Sequence, residues 1–216
     1  MDPREDEKRA VAEAAAAKIE DGATVGLGTG STVAHFLPAL ARRRLGLTCV
    51  ATSPATEEAA RALGLMVRDF DMIERLDIAV DGADQVARDL WLIKGKGGAH
   101  TREKVVAAAA HHFIVIVSSD KVVEALRPPV PLEVMRFGLR ATLRRLEGIG
   151  PVRRRDAPPT PDGNVLVDFF GPVDDPPAVA VALQATPGVV GHGLFPPGMV
   201  SEVLVGRGSG AVDRLT

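Results

Sequence analysis

The chain has few of the residues that mark disulfide-stabilised, metal-binding or membrane-spanning proteins. Cys49 is its only cysteine, which excludes an intrachain disulfide and a metal site built from several cysteines. It has no tyrosine, and no run of about 18 uncharged apolar residues predicts a membrane span. The charged N-terminus lacks the apolar core of a signal peptide, so we expect a cytoplasmic protein.

Composition favours a folded domain with a hydrophobic core. Apolar residues make up 46% of the 216 positions, which argues against disorder. The net charge of −2 is not that of a general nucleic-acid binder. We therefore expect the arginine runs at 42–44 and 153–155 to be solvated faces.

The first half of the chain alternates helix and strand patterns. Helices are predicted at about 5–20, 32–43, 55–63 and 99–111, and strands at about 24–27, 48–52, 65–67, 78–80, 90–93 and 113–117. This alternation predicts an α/β fold, with a Rossmann-like, mainly parallel sheet and helices on both faces.

The pattern changes after the proline-rich segment at 127–131. A β-α-β-β-α-β order follows, which suggests a smaller α+β domain of ferredoxin-like type. We predict an α/β catalytic domain over 1–130 and 204–216, and the small domain over 131–203.

A glycine-rich turn, TVGLGTGST at 24–32, precedes the second helix. Backbone N–H groups at the start of a helix suit a phosphate group. A Walker loop would need a lysine here, and a dinucleotide fingerprint would need a third glycine where Ser31 stands. The following strand ends in Thr52 and Ser53 rather than in the acid that binds a ribose. A small phosphorylated ligand is favoured over ATP or NAD.

Four charged residues come at the ends of predicted strands or near the start of a helix. Asp81 and Asp84 follow the strand at 78–80, Lys94 follows the next apolar run, and Glu103 is near the start of a helix. An Asp-Gly pair alone is a common turn signal. Ligands of parallel α/β sheets, however, bind beyond the carboxyl ends of strands, so the group predicts a catalytic site.

These motifs closely resemble the signature of the A-type ribose-5-phosphate isomerase family. The matching segments are GTGST at 28–32, DGAD at 81–84, KGKGG at 94–98 and REK at 102–104. Lys96 departs from the pattern, in which glycine is commoner. The resemblance spans nearly the whole chain. It implies interconversion of D-ribose 5-phosphate and D-ribulose 5-phosphate through an enediolate, in the non-oxidative pentose phosphate pathway, with no metal or cofactor.

The resemblance also implies roles for individual residues. Glu103 would be the base, Lys94 would stabilise the enediolate, Asp81 would assist ring opening, and Asp84 would orient either Lys94 or a sugar hydroxyl. The substrate-binding residues would be Lys8, Thr29, Gly30, Ser31, Thr32, Gly82, Ala83, Gly95, Lys96, Gly97 and Lys121. The family forms dimers and tetramers, which implies a homodimer or homotetramer assembled through the small domain. No nucleic-acid or membrane partner is expected.

Two other functions compete with this interpretation. A phosphosugar sensor would resemble the same fold, but such regulators join it to a helix-turn-helix, and only one helix precedes the phosphate loop here. The interpretation as an NAD-linked dehydrogenase is less favoured, because Ser31 stands where the third glycine of the fingerprint is due and residues 52–53 do not supply the acid that binds a ribose.

Overall fold

The computed structural model describes residues 3–208 and 210–216. Its helices are α1 (Pro3–Ala17), α2 (Val33–Arg42), α3 (Pro54–Ala62), α4 (His100–Ala109), α5 (Leu139–Glu147) and α6 (Pro176–Gln184). Its strands are β1 (Thr24–Leu27), β2 (Thr48–Ala51), β3 (Leu76–Asp81), β4 (Gln85–Ala87), β5 (Leu92–Ile93), β6 (Ala110–Ser118), β7 (Val122–Val123), β8 (Val130–Val134), β9 (Val152–Arg154), β10 (Val165–Phe169), β11 (Val189–His192), β12 (Leu194–Phe195), β13 (Glu202–Gly206) and β14 (Val212–Leu215).

The chain divides into two compact units. The first unit contains the chain up to Ala83, then Arg102–Val122, then the part that follows Pro197. The second unit contains Asp84–Thr101 and Val123–Pro197. The second unit therefore includes 84–101 and 123–130, which the sequence analysis placed in the larger domain. Residues 198–203, which it placed in the small domain, belong to the first unit.

The first unit is built on a six-stranded sheet in the order β14-β13-β6-β3-β1-β2. Every neighbouring pair is parallel except β13 with β14. The predicted mainly parallel α/β sheet is therefore confirmed. The strand order reverses at β1, which has β2 on one side and β3 on the other. In open α/β sheets such a switch point is where ligands bind, outside the carboxyl ends of the strands.

The core of the first unit buries the apolar face of α1. Val11 and Ala15 of α1, and Ile19 just beyond its end, recur at helical spacing and are fully buried. They belong to one apolar cluster with Phe36 of α2 and Leu27 of β1. Full burial of a side chain as large as Ile19 or Phe36 stabilises the fold by about 1.5–3 kcal/mol. This packing supports β1 directly before the phosphate loop.

The second unit contains an antiparallel sheet in the order β11-β8-β10-β9. The elements that build it follow one another as β8, α5, β9, β10, α6 and β11. This is the predicted β-α-β-β-α-β arrangement, so the ferredoxin-like prediction is confirmed. A second sheet of this unit has the order β12-β5-β4-β7, and its strand β5 leads into the glycine loop at 94–98.

Some local predictions were wrong. Residues 65–67 do not form a strand, and Val67 makes only an isolated bridge to Cys49. Helix α4 ends at Ala109, so His111 and His112 lie on β6, where both are exposed. The strand predicted at 90–93 is shorter than expected and contains only Leu92 and Ile93. Leu90 has a positive φ of 64° and closes the turn before β5.

Candidate active site

Asp81 is the last residue of β3 and lies at the switch point of the first unit's sheet. Its side chain is only 3% exposed. One carboxylate oxygen, Oδ1, accepts the backbone N–H of Thr29 at 3.0 Å and that of Gly82 at 2.7 Å. A buried carboxylate that is fixed by backbone donors keeps a defined orientation for proton transfer. Gly82 and Ala83, which follow it, are half-buried.

The hydroxyl of Thr29 faces other hydroxyls of the protein. Its Oγ1 lies 2.8 Å from Oγ1 of Thr52, 2.9 Å from Oγ of Ser53 and 3.2 Å from Oγ1 of Thr56. Thr56 in turn donates to the carbonyl of Gly28 at 2.9 Å. Because its N–H is bonded to Asp81, Thr29 shapes the loop from both its backbone and its side chain.

Gly30, Ser31 and Thr32 lie at the start of α2. Gly30 has a φ of 124°, a conformation that favours glycine, and its carbonyl accepts the N–H of Ala34 at 3.0 Å. Thr32 occupies the N-cap position, but its hydroxyl does not cap the helix. Helix N-termini carry backbone N–H groups without intrahelical partners, together with a positive dipole end. This segment therefore has the geometry of an anion site.

Two of the lysines predicted to bind substrate, Lys8 and Lys121, are paired with carboxylates of the first unit. Lys8 lies 2.7 Å from Oε1 of Glu5, whose other oxygen is 2.8 Å from Nε2 of His35. The hydrogen bonds from Lys8 and then His35 lower the pKa of Glu5. Lys121 lies 3.1 Å from Oδ2 of Asp120. These pairs are partly exposed, so an incoming phosphate can compete for the ammonium groups.

Glu103 lies in the first turn of α4 and belongs to the first unit. Its side chain is 5% exposed. The positive end of a helix dipole stabilises a carboxylate at this place. The next residue, Lys104, is half-buried, and burial lowers the pKa of its ammonium to about 7.

Asp84 belongs to the second unit and is bonded to the glycine loop. Its N–H donates to the carbonyl of Ile93 at 2.8 Å. Its carboxylate oxygen Oδ2 accepts the N–H of Lys96 at 2.8 Å. The side chain of Lys96 and the backbone of Gly97 are exposed at the top of this loop. Asp84 thus holds the loop in register with strand β5.

Lys94 is buried at the end of β5, with 2% of its side chain exposed. Its N–H donates to the carbonyl of Gly193 at 2.9 Å. A Cβ on Gly193 would lie 2.1 Å from the Lys94 carbonyl oxygen, so only glycine allows this approach. The Lys94 ammonium lies 5.5 Å from the ring centroid of Phe195, within the range of a cation–π interaction.

The structure distributes the predicted site residues between the two units. Residues 8, 29–32, 81–83, 103 and 121 belong to the first unit, and 84 and 94–97 belong to the second. Within the first unit, hydrogen bonds join Asp81 to the phosphate loop. Within the second, they join Asp84 to the glycine loop.

The sequence analysis missed two residues that hold segments of the predicted site in place. Glu7, on α1, accepts the N–H of Ser119 at 2.8 Å and its hydroxyl at 2.9 Å, and so holds the turn that carries Lys121. Arg155 was expected to be solvated, but its guanidinium donates to the carbonyls of Gly95 and Lys96. Neither residue belongs to a motif, so periodicity and spacing gave no signal for them.

Across residues 3–208 and 210–216, no group of three or more His, Cys, Asp or Glu side chains is placed to hold a metal ion. In the same part of the chain, no helix has both the length and the apolar composition needed to cross a membrane.

Comparison with known proteins identifies the family. The model of the family described as ribose 5-phosphate isomerase A (phosphoriboisomerase A) matches residues 48–210. Ribose-5-phosphate isomerase A of Roseiflexus sp. (strain RS-1) is 44% identical, with 95% of this chain and 94% of that protein covered.

Solved structures agree with the sequence match. Ribose 5-phosphate isomerase A of Methanocaldococcus jannaschii superposes with a TM-score of 0.93 at 35% identity, covering 98% of this chain and 99% of that chain. A D-ribose-5-phosphate isomerase in complex with phospho-erythronic acid superposes with a TM-score of 0.91 at 34% identity, covering 98% of both chains. The chain therefore belongs to the ribose 5-phosphate isomerase A family.

Proposed function

We propose that this chain interconverts D-ribose 5-phosphate and D-ribulose 5-phosphate, with Glu103 as the base and Lys94 as the cation that stabilises the enediolate. The observation that carries the assignment of roles is the burial of both ionisable side chains, 5% exposed for Glu103 and 2% for Lys94. Burial of charged side chains costs free energy unless the groups are paired and hydrogen-bonded. Their presence in a member of an isomerase family supports catalysis.

The chemistry begins with opening of the furanose ring. Asp81 exchanges the proton between the ring oxygen and the anomeric hydroxyl. The N–H groups of Thr29 and Gly82, which Oδ1 of Asp81 accepts, hold the carboxylate in a fixed orientation for this transfer. The result is the open-chain aldehyde, with its carbonyl at C1.

Glu103 then removes the proton from C2. The electrons of the C–H bond form the C1–C2 double bond, and the carbonyl oxygen takes the negative charge of the enediolate. Lys94 and the N–H groups of the glycine loop stabilise that charge as it develops. The proton returns from Glu103 to C1 while the O2 proton moves to O1, so the ketose forms with no net gain or loss of atoms or electrons.

The phosphate end of the substrate is assigned to the start of α2. Ser31 and Thr32 supply hydroxyl and N–H donors, and Gly30 allows the close approach of the backbone. Lys8 and Lys121 add positive charge. When the substrate binds, each ammonium group leaves its carboxylate partner and pairs with the phosphate. Remote binding of this kind holds the reacting carbons in position.

The direct test measures formation of ribulose 5-phosphate from ribose 5-phosphate, with EDTA and without added cofactor. We expect turnover by the unmodified chain and a loss of about 100- to 10,000-fold in kcat for Glu103→Gln. Glu147→Gln, a change of an exposed glutamate at the end of α5, is the matched control and should leave kcat unchanged. Near-normal turnover by Glu103→Gln would show that another group is the base. Binding of the phosphosugar without turnover by the unmodified chain would favour a sensor.

We further propose that the chain acts as a homodimer or homotetramer in the cytoplasm. Exposed apolar side chains of the second unit, Phe137 at 88% and Val181 at 70%, support a self-association surface there. Sedimentation of the unmodified chain and of Phe137→Ser tests the oligomer, which the substitution should weaken. Phosphorylated sugars do not diffuse across membranes, so the enzyme must lie in the compartment that holds its substrate. Fractionation of cells tests whether that compartment is the cytoplasm.

A further inference from the structure

Arg155 and Asp168 form a nearly buried ion pair in the second unit. Their side chains are 18% and 15% exposed. Nε of Arg155 lies 2.9 Å from Oδ2 of Asp168, and Nη2 lies 2.6 Å from Oδ1. This is the bidentate geometry in which arginine and carboxylate interact most strongly. The pair fixes the plane of the guanidinium group.

The remaining nitrogen of that guanidinium is directed at the glycine loop. Nη1 of Arg155 donates to the carbonyl of Gly95 at 2.9 Å and to that of Lys96 at 3.1 Å. All three nitrogens of the side chain are therefore engaged. A lysine has a single nitrogen and could not bind the carboxylate and both carbonyls in this way.

These contacts hold two successive peptide groups of the loop. The peptide between Gly95 and Lys96 is bonded at both ends, its carbonyl to Arg155 and its N–H to Asp84. The peptide between Lys96 and Gly97 is bonded to Arg155 through its carbonyl. Because N–H and C=O point in opposite directions across a trans peptide, the N–H of Gly97 is directed away from Arg155. Gly97 is exposed.

We propose that Arg155, oriented by Asp168, is a positioning residue that presets the glycine loop for enediolate stabilisation. The inference rests on the proposed function, in which Lys94 and the loop N–H groups face the developing negative charge. Arg155 does not touch the substrate in this scheme. It keeps the Gly97 N–H and the residue that precedes it, Lys96, in the geometry that the transition state requires.

The test compares Arg155→Lys and Asp168→Asn with Arg154→Lys. Arg154 is the neighbouring, exposed arginine of the same run, so it controls for charge and sequence position. Kinetics give kcat and KM for ribose 5-phosphate, and titration gives the affinity for phospho-erythronic acid. Thermal unfolding of each variant is measured in parallel.

We expect Arg155→Lys and Asp168→Asn to lower kcat about 10- to 100-fold, since small misplacements of catalytic donors cost rates of this size. KM should change less than about threefold, because the phosphate loop lies in the first unit. Affinity for phospho-erythronic acid should fall with kcat. Millimolar guanidinium should restore part of the turnover of Arg155→Ala, which a purely structural loss would not allow.

Two results would overturn the inference. One is kinetics of Arg155→Lys equal to those of Arg154→Lys. The other is a loss of kcat in both Arg155→Lys and Asp168→Asn that only follows the loss of folded protein, together with no rescue of Arg155→Ala by guanidinium. Failure of the proposed function would look different, because Glu103→Gln would then retain turnover or the unmodified chain would have none.

Discussion

Gly28 and Asp81 are packed so closely that position 28 has no room for a side chain. A Cβ on Gly28 would lie 2.0 Å from Oδ1 of Asp81, and the Gly28 N–H donates to the carbonyl of Val80 at 2.9 Å. The end of β1 therefore lies directly against the end of β3. This contact brings the N–H of Thr29 to the Asp81 carboxylate.

Replacement of Gly28 by alanine should displace Asp81 and lower activity. We expect Gly28→Ala to destabilise the fold by about 1–3 kcal/mol, as overpacking of a tight site does, and to lower kcat about 10-fold or more. Steady-state kinetics and denaturant unfolding measure the two effects. Gly198→Ala is the control, since a Cβ there meets nothing within 4 Å, and its stability should change by less than about 1 kcal/mol. Equal kinetics for the two variants would contradict the role of this contact.

The hydroxyls of the phosphate loop should separate into two classes. Ser31→Ala and Thr32→Val each remove a hydroxyl at the helix start, so we expect KM to rise about 10-fold with little change in stability. Thr29→Val removes the Thr29 hydroxyl from the hydrogen-bond network of Thr52, Ser53 and Thr56, so its main effect should be a loss of about 1 kcal/mol of unfolding free energy. Kinetics and unfolding of the three variants give the comparison. A larger rise in KM for Thr29→Val than for Ser31→Ala would assign the Thr29 hydroxyl to the phosphate instead.

The difference between these hydroxyls marks the limit of the sequence argument. The GTGST segment and the strand before it were enough to predict a phosphate loop at the start of a helix. The direction in which Thr29 points depends on Thr52, Ser53 and Thr56, which come from the next strand and helix. Such contacts across the sheet have no local signature.

The arginine run at 153–155 shows the same limit more clearly. Three adjacent arginines look alike as a pattern, and composition favours a solvated face for all of them. In the structure, Arg155 forms an ion pair with Asp168 of the paired strand β10, whereas Arg154 is exposed. Strand pairing decides which arginine is buried, and the pairing register is not local information.

The elements that were predicted well depend on strong local patterns. The run of five apolar residues at 113–117 in β6 and the helical spacing in α1 are properties of neighbouring residues. The end of α4 was predicted too late because alanines at 107–110 continue the helical composition into β6.

Lys104 should make stability depend on pH above neutrality. Burial lowers the pKa of its ammonium from the ordinary value of 10.5 to about 7. Between these values the unfolded chain binds the proton and the folded chain does not, so this group makes stability rise with pH, by at most about 1.4 kcal/mol per pH unit. Below about pH 7 both states are protonated, and the folded state bears the full cost of the buried charge.

The variant Lys104→Met removes this titration. We expect it to be more stable than the unmodified chain at pH 7 and to lose that advantage as the pH approaches 10. Denaturant unfolding between pH 7 and 10 gives the difference directly. Arg9→Met, an exposed change on α1, is the control for loss of a positive charge that does not titrate in this range. A difference between Lys104→Met and the unmodified chain that does not vary with pH would refute the assignment.

Glu202 should stabilise the first unit far more than a surface ion pair does. Its side chain is 1% exposed and lies 2.7 Å from Nε of Arg214 and 3.1 Å from Nζ of Lys18. Both cations are partly exposed and can turn to water when the carboxylate is removed, so Glu202→Gln leaves no fully buried charge. We therefore expect a loss of about 2 kcal/mol, which is less than the roughly 3–5 kcal/mol that follows when removal of one partner leaves a buried charge unpaired.

The ion pair of Arg207 with Asp213 is the matched comparison for Glu202. Its side chains are 43% and 52% exposed, so Asp213→Asn should cost less than about 1 kcal/mol. For a chain of this size, thermal unfolding should show a decrease of roughly 4–8 °C for Glu202→Gln and a much smaller one for Asp213→Asn. High salt should reduce the effect of Asp213→Asn more than that of Glu202→Gln, because buried pairs are screened less. Equal losses for the two variants at low salt would mean that burial adds nothing to the Glu202 contacts.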